Sequence, residues 1–407
     1  MKSQNANPRF SNPFREFPRE VGVLVFASFF VAIGFGIIAP TLPLYAKSFG
    51  INNAQVGSII TLFALARFAS GLFSGKLVDR FGERVIYSTG LAFVSISSLA
   101  AGLAQNFPQL LFFRAAGGLG SSMFSVAAGS IILRATDDTQ RARAQSLYNG
   151  SFLVGMVAGP AVGGALSAFS LRAPLLIYSA LTVVAAVACG TLLKDSALTA
   201  KPTKSDKKEV TSLREAFALV PYQYALIINF CTGFILFGMG RSILPLFMVE
   251  DMHSSASFIG WGFTLSSVVQ GAFILKAGKA SDIRGRKFTA LVGTSLLTAS
   301  VFAIAFTTRP MMFFAAMFLS GLGAAYISTT PSSIVGDVLE GKGGQVIGIF
   351  QMSGDFGAVI APVVLGALSD SAGFRPAFLL SAFVISIALG ISTKLPETRA
   401  SHLGQSR

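Results

Sequence analysis

Twelve apolar runs, each about as long as a lipid bilayer is thick, recur along the 407-residue chain. VGVLVFASFFVAIGFGIIAP (21–40) and SAFVISIALGIST (381–393) are two of them. A helix that crosses the hydrocarbon core needs roughly 20 apolar residues. Backbone amides in lipid have no water to pair with, so such runs must close their hydrogen bonds internally as helices. The spacing predicts spans 1 to 6 over 21–45, 55–76, 84–105, 108–133, 144–169 and 171–193. Spans 7 to 12 are predicted over 222–248, 257–279, 287–306, 310–336, 344–369 and 374–394. The fold class is therefore an all-α polytopic membrane protein. Composition agrees: 12% of residues are charged, about half the usual share of a soluble domain. The first run is too long for a signal-peptide core, and a second span follows soon after without a small-residue cleavage site, so it reads as a retained span.

The polar charges lie between the runs, and their sign sets the expected topology. With the N-terminus placed inside, 25 of the 32 Lys and Arg fall on inside segments, four on outside loops (Lys47, Arg172, Arg309, Arg375) and three within spans (Arg67, Arg114, Arg241). That bias predicts both termini in the cytoplasm. It also accounts for the +14 net charge without nucleic acid as a partner. The expected organisation is a cytoplasmic segment 1–20, a six-helix bundle 21–193, a polar linker 194–221, a second bundle 222–394 and a cytoplasmic tail 395–407. Cys189 and Cys231 lie inside spans and read as small packing residues.

The two bundles repeat each other. GKLVDRFGER (75–84) returns as GKASDIRGRK (278–287), so Gly75, Asp79 and Gly82 map onto Gly278, Asp282 and Gly285 at a spacing of 203. GGLG (117–120) answers SGLG (320–323) at the same spacing, while TLPL (41–44) answers ILPL (243–246) at 202. GPAVGGAL (159–166) answers APVVLGAL (361–368), also at 202. Two six-span halves of like orientation imply a pseudo-two-fold along the membrane normal, with a site between them near midplane.

These residues carry a family likeness. The chain resembles the major facilitator superfamily, and within it the twelve-span drug:proton antiporters. GKLVDRFGER is similar to the loop motif between spans 2 and 3 through Gly75, Leu77, Asp79, Arg80, Gly82 and Arg84; Glu83 departs, since the family usually has a basic residue there. LLFFRAAGGLGSS (110–122) resembles the span 4 motif through Arg114, Gly118 and Gly120. GMVAGPAVGGAL (155–166) resembles the antiporter motif of span 5 through Gly155, Gly159, Pro160, Gly163 and Gly164. LPLYAKSFG (42–50) resembles the family's end of span 1. The resemblance implies two pseudo-symmetric bundles, alternating access driven by a proton gradient with no cofactor, and span 5 facing the other half.

Small residues four apart let helices approach closely in lipid. Gly71 and Gly75 form such a stripe on span 2, and Gly155, Gly159 and Gly163 form one on span 5, where Pro160 should also kink the helix. The span 5 stripe is either tight packing alone or a bendable seam between rocking halves. Asp79, at the membrane edge beside Arg80 and Arg84, is either a latch for the inner gate or part of a solvated loop.

Asp355 is the one acid deep in a span, and a carboxylate there is a functional candidate by default. It is expected to carry protons, with Arg114, or else to pair permanently with an arginine. Arg67, Arg241, Phe30 and Phe35 are candidate cavity residues. If all three span arginines face the cavity, an anionic or zwitterionic substrate is favoured, and span 1 has no acid of the kind that cationic-drug antiporters often carry. No nucleophile stands beside a base, no metal spacing is present, and no GxxxxGK phosphate loop occurs, so an enzyme and an ATP-driven pump are not expected. The reading is a proton-coupled exporter of small amphipathic compounds in the cell membrane, working as a monomer. The rivals are a symporter or uniporter for a small, anionic metabolite, and a non-transporting receptor or scaffold.

Overall fold

In the computed structural model of the chain, the described residues are 17–135, 138–193, 213–328, 330–338 and 344–398. The side chains of Asp79 and Asp282, and most of the predicted linker, lie outside the described residues. Twelve helices long and apolar enough to cross a membrane follow one another. Spans 2 to 6 are Asn53–Phe81, Glu83–Gly102, Phe107–Ala135, Asp138–Phe169 and Ala173–Leu192. Spans 8, 9, 11 and 12 are Ala256–Arg284, Arg286–Ala305, Gly344–Ala372 and Phe374–Lys394.

Three spans depart from the unbroken rods expected. Span 1 ends as a regular helix at Ile38 and resumes as the short helix Leu42–Lys47. Span 7 runs as Val220–Gly233, loosens into a π-helical turn Phe234–Gly238, tightens into a 3₁₀ turn Met239–Arg241 and resumes over Ile243–Glu250. Proline has no N–H to give to the preceding turn and clashes with its carbonyl, so it starts helices more readily than it continues them. Pro43 and Pro245, the shared prolines of TLPL and ILPL, sit in the first turn of the two resumed helices. Thr41 Oγ1 donates to the carbonyls of Ile37 and Ile38, and the Thr41 N–H also donates to Ile38. Span 10 is likewise two helices, Pro310–Ile327 and Thr330–Val338.

The repeat is preserved in packing as well as in sequence. A single glycine separates span 2 from span 3, and another separates span 8 from span 9. Gly82 has φ +82° and Gly285 φ +98°, a region where a Cβ clashes with the backbone. Gly118 of span 4 leaves no room for a Cβ against the Phe63 carbonyl of span 2, and Gly321 meets Ser266 of span 8 in the same way. The Ser97 hydroxyl donates to the Phe113 carbonyl at 2.6 Å, and Ser300 donates to Ala316 at 2.8 Å. Each of these pairs keeps the 203-residue spacing.

An even number of spans returns the chain to the face it started from, here called the terminal face; the opposite side is the far face. The halves meet through span 2 against span 11 and span 5 against span 8. Close contacts gather toward the far face: Gly57 against Pro362, Gly366 against Asn53 and Ala54, Gly164 against Ala256 and Ser257. Toward the terminal face, Gly75 and Gly278 have no heavy atom within 4 Å of where a Cβ would stand. The Gly71–Gly75 stripe therefore makes no tight helix contact in this conformation; Gly71 has only Ser122 Oγ at 3.9 Å.

Candidate functional site

A cavity of about 810 Å³ opens between the halves. Span 5 supplies Asn149, Phe152, Met156 and Pro160; span 7 supplies Phe237, Gly240 and Arg241; span 8 supplies Phe263, Ser266, Ser267, Gln270 and Lys279. Met317 and Ser320 of span 10 complete one wall. The repeat explains why the space lies on this side. Residues 203 positions after Arg67 and Arg114 are Gln270 and Met317, and both line the cavity. Where the first half places two guanidiniums, the second places an amide and a thioether.

Arg114 is buried at 4% exposure. Its guanidinium lies 4.7 Å from the Phe63 ring centroid, a cation–π contact, and its Nε has no hydrogen-bond partner. Arg67 and Asp355 are both exposed. They stand on spans 2 and 11, which pack against each other across the two halves. Neither residue lines the described cavity, which sits beside spans 5, 7 and 8 instead.

Arg241 and Phe35 are brought together. The 3₁₀ turn of span 7 lays the Arg241 guanidinium 4.6 Å from the Phe35 ring of span 1 and 4.7 Å from Phe237. Phe30 makes no such contact; it packs on Phe26 and Phe29 at 4.6 and 5.8 Å between ring centroids.

The span 5 motif divides its work in a way sequence did not show. Gly155, Gly159 and Gly163 pack on span 1 of their own half: a Cβ on Gly159 would stand 2.5 Å from Gly36 Cα, and one on Gly155 2.6 Å from the Phe29 carbonyl. Of the two readings of the stripe, tight packing or a seam between the halves, these three glycines make tight contacts with span 1 of their own half. Gly164 and Pro160 are the part that crosses, against Ala256, Ser257 and Gly260 of span 8, with Ser257 Oγ donating to the Gly164 carbonyl at 3.1 Å.

The loop motif is also resolved by place. Glu83, the departure from the family pattern, is buried in the first turn of span 3 and accepts from Ser130 Oγ of span 4 at 3.1 Å. A carboxylate suits the positive end of a helix. In the second half the same position is Arg286, which pairs with Asp337 at 2.9 Å. Arg84 donates from Nε to the Gly190 carbonyl at the end of span 6 at 3.1 Å, and exposed Arg80 lies over Phe81.

Sequence reading missed a polar lattice that ties the halves at the far face. Asp370 of span 11 accepts from the backbone N–H groups of Asn53 and Ala54 at 2.8 Å each, from Oδ1 and Oδ2. Lys47 pairs with Glu250 at 3.1 Å and donates to Asn53 Oδ1 at 2.6 Å. The signal was present only as an acid at a span end, which hydropathy treats as a boundary. Cys189 and Cys231 are buried and unpaired.

A model described as Major Facilitator Superfamily matches residues 24–247 and 231–406. The chain is 25% identical over 381 residues to an MFS-type transporter of Methanocaldococcus jannaschii, covering 93% of this chain and 98% of that one. It is 24% identical over 382 residues to Multidrug resistance protein 2 of Bacillus subtilis, with 92% and 94% covered. Among solved structures, a bacterial homologue of the human lysosomal transporter Spinster superposes with a TM-score of 0.79 at 17% identity, covering 95% and 97% of the two chains. Matched along nearly its whole length by that family model, with twelve spans in two repeated halves, the chain belongs to the major facilitator superfamily: it is a multi-span membrane transporter and not an enzyme.

Proposed function

We propose that the chain exports small amphipathic compounds across the plasma membrane in exchange for protons, by alternating access, with both termini in the cytoplasm. The observation that carries this reading is Asp355. It is an exposed acid deep in span 11, which packs on the Arg67-bearing span 2, and it is set apart from an apolar cavity large enough for a drug-sized molecule. An exposed carboxylate at that depth can take up a proton on one side and release it on the other, and separation from the cavity lets proton and substrate alternate. The positive-inside bias places the terminal face in the cytoplasm, so the far-face contacts close the outside and the cavity opens inward. The likeness to a multidrug resistance protein supports export rather than uptake.

The test is proton movement in proteoliposomes of the full chain on addition of an amphipathic dye, wild type against Asp355→Asn. Dye-driven proton movement is expected in wild type and is expected to fall to background in the variant. Dye flux without proton movement in wild type would remove the antiport mechanism. A symporter would move protons and substrate the same way in this assay.

A further inference from the structure

We infer that the cavity is a site for organic monoanions, with the Arg241 guanidinium as the group that receives the carboxylate or equivalent oxyanion. This rests on the cavity being the transport site, and it names the class of molecule the site selects. Among the described residues lining the cavity there is no Asp or Glu, while two bases line it: Arg241 deep in span 7 and Lys279 near the terminal end of span 8.

Among the described residues, Arg241 has no carboxylate partner. Its neighbours are the Phe35 and Phe237 rings at 4.6 and 4.7 Å, which hold the plane of the guanidinium while leaving its N–H edge unused. An arginine in the low-dielectric interior without an anion is costly, and a planar fork matches a carboxylate in two parallel hydrogen bonds. The two flanking rings come from span 1 in one half and span 7 in the other, so the guanidinium sits at the seam between the halves. Lys279 at the mouth and Arg241 at depth make a potential that draws anions inward and repels cations. The remaining lining, with Phe152, Met156, Phe263 and Met317, is apolar, and Gln270, Ser266 and Ser267 offer neutral hydrogen bonds. Asp355 is outside this lining and leaves Arg241 uncompensated.

The experiment measures equilibrium binding of three probes with one ring system to the purified full chain in detergent at neutral pH: 2-naphthylacetate, its neutral amide, and 2-naphthylmethyl-trimethylammonium. Wild type is expected to bind the anion about tenfold more tightly than the amide, the scale of one charge-assisted hydrogen bond, and the cation more weakly than either. Arg241→Gln is expected to erase the difference between anion and amide while leaving amide binding within about twofold, which also shows that the variant is folded; Arg241→Lys is expected to restore part of it. Equal binding of anion and amide by wild type, tighter binding of the cation, binding of none of the three, or an anion preference that survives Arg241→Gln would each overturn the inference. Proton movement in vesicles with 2-naphthylacetate is a separate readout: anion binding without proton exchange would remove the antiport reading and leave the anion site standing.

Discussion

Gly82 and Gly75 lie seven residues apart in one motif, yet substitution should treat them oppositely. Gly82 is the whole connection between two spans and holds φ +82°. Gly82→Ala is expected to cost about 1–2 kcal/mol of strain, read as a lower unfolding temperature in detergent. Gly75→Ala meets no atom within 4 Å, and its helix gains propensity, so the unfolding temperature should hold or rise. If Gly75 closes against the other half when the terminal face shuts, Gly75→Ala should still slow transport. The identities of these residues were plain in the sequence, and so was the isolation of Asp355 as an intramembrane acid. That Arg241 meets Phe35 was not plain, because the contact joins residues from different halves.

Span 5 gives the same lesson at the scale of an element. Its small residues are periodic, but periodicity marks a face without naming what covers it. The structure assigns Gly159 to span 1 and Gly164 to span 8. Gly159→Leu is therefore expected to destabilise the first bundle, by about 1–3 kcal/mol or more as an overpacked contact, seen as a lower unfolding temperature and poor yield. Gly164→Leu should leave the unfolding temperature nearly unchanged and wedge the far face open, seen as faster maleimide labelling of a cysteine placed at Thr61. Similar melting curves for the two variants would contradict this division. The breaks in spans 1 and 7 were legible in part: the repeated LPL carries the proline, but the π and 3₁₀ turns depend on packing against span 11.

At the scale of the whole molecule, the close contacts between the halves among the described residues gather at the far face. Asp370 satisfies the first two N–H groups of span 2 from the opposite half, while Asn52 on the same helix satisfies the third. An acid at a helix N-terminus is worth about 0.3–1 kcal/mol at an exposed position. Asp370→Asn is therefore expected to shift the ratio of far-face-open to far-face-closed molecules about two- to fivefold. Labelling of the Thr61→Cys reporter should rise by that factor, and Lys47→Ala should add to it by loosening the pair with Glu250. Unchanged labelling in both variants would show that apolar packing alone holds the far face shut.

The sequence by itself determined the number of spans, the two-fold repeat, the expected sidedness and the family. The cause is physical: lipid leaves the backbone only one way to satisfy its polar groups, so length and hydropathy suffice, and a duplicated chain repeats its turns. Only the tertiary structure decided which faces of those helices meet each other, where the cavity lies, and which end of the molecule is closed. Lipid and a neighbouring helix are equally apolar surroundings for a side chain, so hydropathy cannot tell them apart. The contacts that set Arg241 against Phe35 and Asp370 against Asn53 join residues hundreds of positions apart, and they exist only once two independently legible bundles have packed together.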